Sequence, residues 1–214
     1  MIARISQFCD TGSGGTPSRQ LASRYFNEGS IPWVKSGELR ESIVTRTEER
    51  VTEVALNETN LKLVSPGAIL LAMYGATVGR LGILGVPATT NQAVCHIIPD
   101  KTRADSRYLF HALRWLVPTL IQRRVGGAQP NINQAIIREL EIPLPQLSEQ
   151  QRTAAILDKA DALRAKRHAA LAQLDTLTQS IFIDMFGDHA MNPKGWSWFT
   201  LGSLLREVTN GMWR

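Results

Sequence analysis

The chain has 214 residues, with 24 Lys and Arg against 19 Asp and Glu, a net charge of +5, and 43% hydrophobic residues. That composition supplies a folded core and excludes a wholly disordered polymer. No apolar run approaches the roughly 20 residues that cross a bilayer, and the opening MIARISQFCDTG lacks the roughly 7–15-residue apolar core of a signal peptide. Two cysteines, Cys9 and Cys95, fit isolated thiols in a reducing compartment better than a disulfide scaffold, so the expected location is the cytoplasm.

Up to residue 147 the chain reads as short apolar runs broken by Gly, Pro and Asn. Turn residues flank candidate strands at Ile31–Val34, Ile69–Met73, Val78–Leu84, Val94–Ile98 and Glu141–Leu144. Between Ser106 and Arg124 the period becomes helical, with Tyr108, Leu109, Ala112, Leu113, Leu116 and Leu120 on one broad face. Pro118 should kink this helix or mark its last turns, and Gly126-Gly127 should stop it. The loop Gln129-Pro130-Asn131-Ile132-Asn133 follows. The expected fold class is α+β, a strand-rich domain over 1–147.

Pro143-Leu144-Pro145 then forms an extended exit, and Ser148 with Gln151 three residues on has the pattern of a capping box. No Gly or Pro occurs from there to Phe186; Gly187 and Pro193 provide the stop. This predicts one long helix over 148–187. Alternate steps of four and three residues mark a seam of Ile156, Ala160, Leu163, Arg167, Ala170, Leu174, Leu177, Ile181 and Asp184. Seven of these nine are apolar, as in a coiled coil rather than a broad face lying on a globule. Such a seam needs a second helix, and with one such helix in the sequence the expected partner is another chain. The last segment, 188–214, hints at a repeat: Leu201, Leu204 and Gly211 fall 199 residues after Ile2, Ile5 and Gly12.

The charge is uneven. Residues 62–147 hold 9 basic and 4 acidic side chains, whereas 1–61 hold 7 and 8, and 148–214 hold 8 and 7. A concentrated excess of this kind is what a polyanion-binding face looks like. Catalytic patterns are missing. Gly12-Ser13-Gly14-Gly15-Thr16 lacks the Gly-Lys-Ser/Thr of a phosphate loop, the four histidines are isolated, and no G-x-S-x-G elbow occurs. The sequence therefore predicts a binder with no catalytic residues, no metal and no cofactor.

Several stretches match one family in order: Gly14-Gly15-Thr16-Pro17-Ser18; Ile31-Pro32-Trp33-Val34-Lys35-Ser36-Gly37-Glu38-Leu39; Met73-Tyr74-Gly75-Ala76-Thr77-Val78-Gly79-Arg80; and Thr90-Asn91-Gln92-Ala93-Val94. Gly127-Ala128-Gln129-Pro130-Asn131-Ile132, Ile142-Pro143-Leu144-Pro145 and Glu149-Gln150 complete the set. Over most of 1–186 the chain resembles the DNA-specificity subunit of type I restriction–modification systems. The resemblance implies a target-recognition domain and a spacer helix, with double-stranded DNA, methyltransferase (modification) subunits and a restriction subunit as partners. Family members carry two such halves with their helices antiparallel; this chain has one half and the opening of a second, as a truncated form or a half-subunit would, and either way the resemblance implies a homodimer through the long helix and a palindromic site.

Residue chemistry then nominates DNA contacts. Lys35, Arg40 and Arg80 lie beside turns, Arg123 and Arg124 end a helix, and Gln129 and Asn131 offer amides. Ser13 and Thr16 belong to a Gly-rich stretch that would let backbone approach phosphate, and Tyr74 offers a ring. Each has a structural rival: Asn91, Gln92, Gln129 and Asn131 as braces of turns, Trp33 and Tyr74 as packing, Arg123 and Arg124 as complements to a helix end. Base readers are expected in the unmatched loops Arg40–Glu58 or Lys101–Arg107. An adaptor that docks methyltransferase subunits through the long helix, with little DNA binding, is the competing reading.

Overall fold

The computed structural model describes residues 1–122, 132–188 and 190–205. Ten strands occur among them: β1 (Ile2–Arg4), β2 (Cys9–Ser13), β3 (Ile31–Val34), β4 (Ile43–Val44), β5 (Glu49–Val51), β6 (Ile69–Ala72), β7 (Leu81–Leu84), β8 (Thr89–Thr90), β9 (Val94–Pro99) and β10 (Glu141–Pro143). The helices are α1 (Ala22–Tyr25), α2 (Glu53–Glu58), α3 (Ser106–Gln122), α4 (Gln134–Arg138), α5 (Leu147–Phe186) and α6 (Leu201–Leu204). This is the expected α+β class. Among the described residues no helix is long and apolar enough to cross a membrane. Two compact units divide the chain, Met1–Lys159 and Ala160–Arg214.

The first unit is built on a five-stranded sheet of order β2-β9-β6-β7-β4, antiparallel except for the parallel β7–β4 pair. Period-two alternation gives each strand two faces. Ile69, Leu71, Leu81, Ile83, Cys95 and Ile97 pack against Leu109, Phe110, Leu113 and Val117 of α3. On the other face Leu70, Ala72 and Val94 meet Val34, Leu39, Val44, Val64 and Ala88. A three-stranded sheet, β5-β3-β8, and a pair, β1-β10, complete the unit. A third cluster of Tyr25, Trp33, Val51, Ala55 and Leu61 lies around β3, β5 and α2.

Four expected strands recur within a residue or two. The fifth, Val78–Leu84, shortens to β7, because the residues before it form a 3-10 turn at Gly75–Thr77 and a reversal in which the Gly79 N–H meets the Ala72 carbonyl at 2.9 Å. Gly79 has φ +84°, and a Cβ there would lie 2.4 Å from Ile121, so both conformation and space require glycine. The Gly-rich stretch 12–16, expected as a phosphate-approaching loop, begins as strand: Gly12 and Ser13 end β2, which pairs in register with β9, Gly12 opposite His96 and Ser13 opposite Cys95, and only 14–16 lie outside it. A Cβ on Gly14 would stand 1.8 Å from the Thr90 carbonyl oxygen. That glycine serves close packing between backbones.

Helix α3 continues through Pro118, which falls in its last turns as expected. The capping box at Ser148 is corrected. Helix α5 starts at Leu147 on the Gln146 carbonyl, which accepts from the N–H groups of Glu149 and Gln150 at 3.0 Å each. Its anchor is the fully buried Gln150: the amide NH2 donates to the Arg103 and Pro145 carbonyls and the amide oxygen accepts from the Asp105 N–H, each at 2.9 Å. Asp158, one residue before the unit ends, takes Arg107 at 2.7 Å and His111 Nε2 at 2.8 Å, tying α3 to the first turns of α5. Burial alone would raise the Asp158 carboxyl; the hydrogen bonds from Arg107 and His111, with their charges, outweigh it and hold the pKa low.

In the second unit every helical residue from 162 to 186 is exposed. Gly187, at φ +82°, ends the helix, and the Lys194 ammonium and Trp196 indole N–H close its last carbonyls, the indole reaching Phe186 at 2.8 Å. In the register that sets Leu201 on Ile2, the two segments differ: Ile2–Arg4 is a strand because β10 pairs it, whereas Leu201–Leu204 is a helical turn.

Candidate nucleic-acid interface

Three sequence motifs converge on one place. The Gly15 N–H donates to the Thr90 carbonyl at 3.0 Å, the Trp33 indole N–H to the Gly15 carbonyl at 3.1 Å, and the Asn91 N–H to the Val34 carbonyl at 2.9 Å. The Thr16 hydroxyl bonds the Gln92 side-chain oxygen. So Gly14–Thr16, Trp33–Val34 and Thr89–Gln92 hold each other, β3 lying parallel to β8. Trp33 is buried and bonded, a packing residue. Gln92 braces the turn through Thr16, and Ser13 is half-buried at the end of β2. Tyr74 is partly exposed and precedes the 3-10 turn at Gly75.

The cations divide by partner. Lys35, nominated for DNA, gives its ammonium to Glu48 at 2.8 Å and Glu49 at 2.9 Å, pairs which raise its pKa. Glu49 also takes Arg19, and these hydrogen bonds, Arg19 first and then Lys35, pull its carboxyl down to about 2. Arg19 further lies 4.3 Å over the Phe26 ring. Arg4, Arg24 and Arg107 are likewise held by carboxylates. Arg40 and Arg80 are exposed and have no ion pair among the described residues; nor does Arg46, which the sequence reading did not single out. The backbone segments that carry Arg80 and Arg40 adjoin, the Leu81 carbonyl accepting the Glu41 N–H at 2.9 Å. Arg123, Arg124, Gln129 and Asn131 lie outside the described residues.

Arg40 and Arg46 line a concavity of about 400 Å3 with Glu38, Ser42, Ile43, Val44, Thr45, Thr47 and Glu48. The signal in the sequence was the run RESIVTRTEE, dense in hydroxyls and arginines; the contacts that fold it were not visible there. Among the described residues no group of three or more His, Cys, Asp or Glu stands ready for a metal ion. Burial pushes the Cys9 and Cys95 thiols up to about 12, which removes them as nucleophiles near neutral pH.

Residues 1–174 match the family model described as the type I restriction modification DNA specificity domain. The chain belongs to this family. Among curated relatives of this specificity-domain chain, the type I restriction enzyme MjaIX specificity subunit of Methanocaldococcus jannaschii is 29% identical over 96% of the chain and 51% of the relative. The EcoR124I/EcoR124II specificity subunit of Escherichia coli is 28% identical over 70% of the chain and 38% of the relative. The chain thus spans about half or less of the length of these relatives. Among solved structures, the HsdS subunit from Thermoanaerobacter tengcongensis superposes with a TM-score of 0.66 at 22% identity, over 87% of this chain and 44% of that one, a likeness of fold.

Proposed function

We propose that this specificity-domain chain is a non-catalytic, sequence-specific DNA-recognition subunit that directs methyltransferase and restriction subunits to a target site. The family match supports this reading, and the observation that carries it is the division of cations: neighbouring carboxylates neutralise many, while Arg40 and Arg80 stay exposed and without an ion pair among the described residues, on adjoining segments. In this reading Arg80, Ser13 and Thr16 position the phosphate backbone, with Arg123 and Arg124; Arg40, Tyr74, Gln129 and Asn131 face bases. Lys35 contributes only if DNA displaces Glu48 and Glu49. Residues 1–147 read one half of the site, 148–187 pair with a second copy, and 188–214 open a further repeat.

Duplex binding measured against salt tests the proposal. The purified chain, alone and with its methyltransferase subunits, should bind duplex with an affinity that falls linearly in log–log form as salt rises, and Arg80→Gln should reduce that slope by about one. Binding that is absent in both settings, or independent of salt, overturns it.

A further inference from the structure

The segment Arg40–Thr47 is held far more firmly than a surface loop requires. Glu38 bridges its base: one carboxylate oxygen accepts the Lys35 N–H and the other the Glu48 N–H, both at 2.7 Å. Its middle is strung along β7. The Glu41 N–H donates to Leu81 at 2.9 Å, the Ile83 N–H to Ser42 at 3.1 Å and the Gly85 N–H to Val44 at 2.9 Å. The Thr47 hydroxyl closes the end on the Glu49 carbonyl at 2.6 Å. Val44 turns inward and is buried, yet Arg40, Ser42, Ile43, Thr45 and Arg46 are all exposed.

We propose that this segment is the base-reading element of the recognition domain, with Arg46 and Arg40 as the principal specificity-determining residues, Ser42 and Thr45 as secondary ones, and double-stranded DNA bases as the ligand. The inference rests on the DNA-recognition reading above and deepens it. Direct readout needs donors and acceptors pre-positioned on a rigid frame, with guanidinium forks for guanine, hydroxyls for either edge and an apolar group for the thymine methyl. All three kinds occur together, with Ile43, half exposed, as the apolar member. The carboxylates lining the concavity make no ion pair with the arginines among the described residues: Glu38 takes two backbone N–H groups and Glu48 takes Lys35. The Ser42 and Thr45 hydroxyls have no hydrogen-bond partner among the described residues. Arg80, adjoining through Leu81, divides the labour: it sets the segment against the phosphates while Arg40 and Arg46 read.

The test is selection by the full chain, with its methyltransferase subunits where these are needed for binding, from a pool of duplexes with a randomised centre, followed by sequencing of the bound fraction. The wild-type chain should enrich one consensus. Arg46→Lys and Arg40→Lys keep the charge but lose the fork, so each should cut discrimination at one base position by about 10- to 100-fold while the salt dependence of binding holds. Thr45→Val should relax a neighbouring position. Arg80→Gln should weaken all sequences alike. If the two lysine variants and Thr45→Val all return the wild-type consensus at every position, the segment is not the reader, and DNA recognition itself still stands. If the wild-type chain enriches nothing, both readings fall.

Discussion

At the residue scale the most consequential buried polar group is His96. Its ring lies across Gly12 with little exposure, and its Nδ1 has no hydrogen-bond partner among the described residues. Burial, helped by the charge of Lys62, lowers its pKa below the usual 6.5, so the folded protein resists a proton that the unfolded chain accepts. Stability from this group is complete above pH 6.5 and is lost as pH falls through that value toward the lower folded pKa. The carboxylates held low, Glu49, Glu58, Asp100 and Asp158, act in a different window: their contribution is present above their ordinary values of 3.8 to 4.5 and fades only below them. The urea midpoint of the wild-type chain should therefore drop between about pH 7.5 and about pH 5.5, and His96→Leu should flatten that dependence. An unchanged slope in the variant would show that His96 is not the group responsible.

At the element scale, the join between α3 and α5 depends on Gln150 more than on any cap. Gln150→Ala would leave the Asp105 N–H and the Arg103 and Pro145 carbonyls without these partners in a part-buried place, at a cost on the order of 2 kcal/mol. Asp158→Asn, at a partly exposed pair, should cost about 1 kcal/mol. Chemical unfolding of both variants separates the two, and equal losses would contradict the ranking. The sequence showed the helix and its length but named the wrong start, because the S-x-x-Q pattern is local whereas Gln150 acts on residues 45 and 47 positions away. The same physics governs the strands. Runs such as Ile69–Ala72 and Val94–Pro99 are apolar enough to read directly. Cys9–Ser13 looks like a loop by composition and becomes a strand only because β9 pairs it, and β4 and β8, two residues each, carry no period at all. For the candidate interface, Arg40 and Arg80 were legible as cations beside turns. That Lys35 is engaged was not, since β3–β5 pairing is what brings Glu49 beside it.

At the scale of the whole molecule, the proposed pairing with a second copy rests on the exposed seam of α5. Leu163, Leu174, Leu177 and Ile181 are each about half or more exposed, and burying a side chain of this size is worth roughly 1.5–3 kcal/mol. The last six seam positions, Arg167 to Asp184, are symmetric about a point between Asp175 and Thr176. An antiparallel pair of copies crossing there sets Leu174 against Leu177, Ala170 against Ile181, and Arg167 against Asp184. The two polar members of the seam thus meet each other twice, once on each side of the axis, and neither has an ion pair of its own among the described residues. Light scattering over a concentration series should give a mass near twice 23.7 kDa, with Leu174→Glu shifting the chain toward monomer. Arg167→Asp should weaken association roughly tenfold by setting like charges face to face, and adding Asp184→Arg should restore it. A wild-type monomer at every concentration would end the dimer proposal. Association that ignores the charge reversal would instead mean that the copies pair in another register, and the spacing between the two half-sites would change with it.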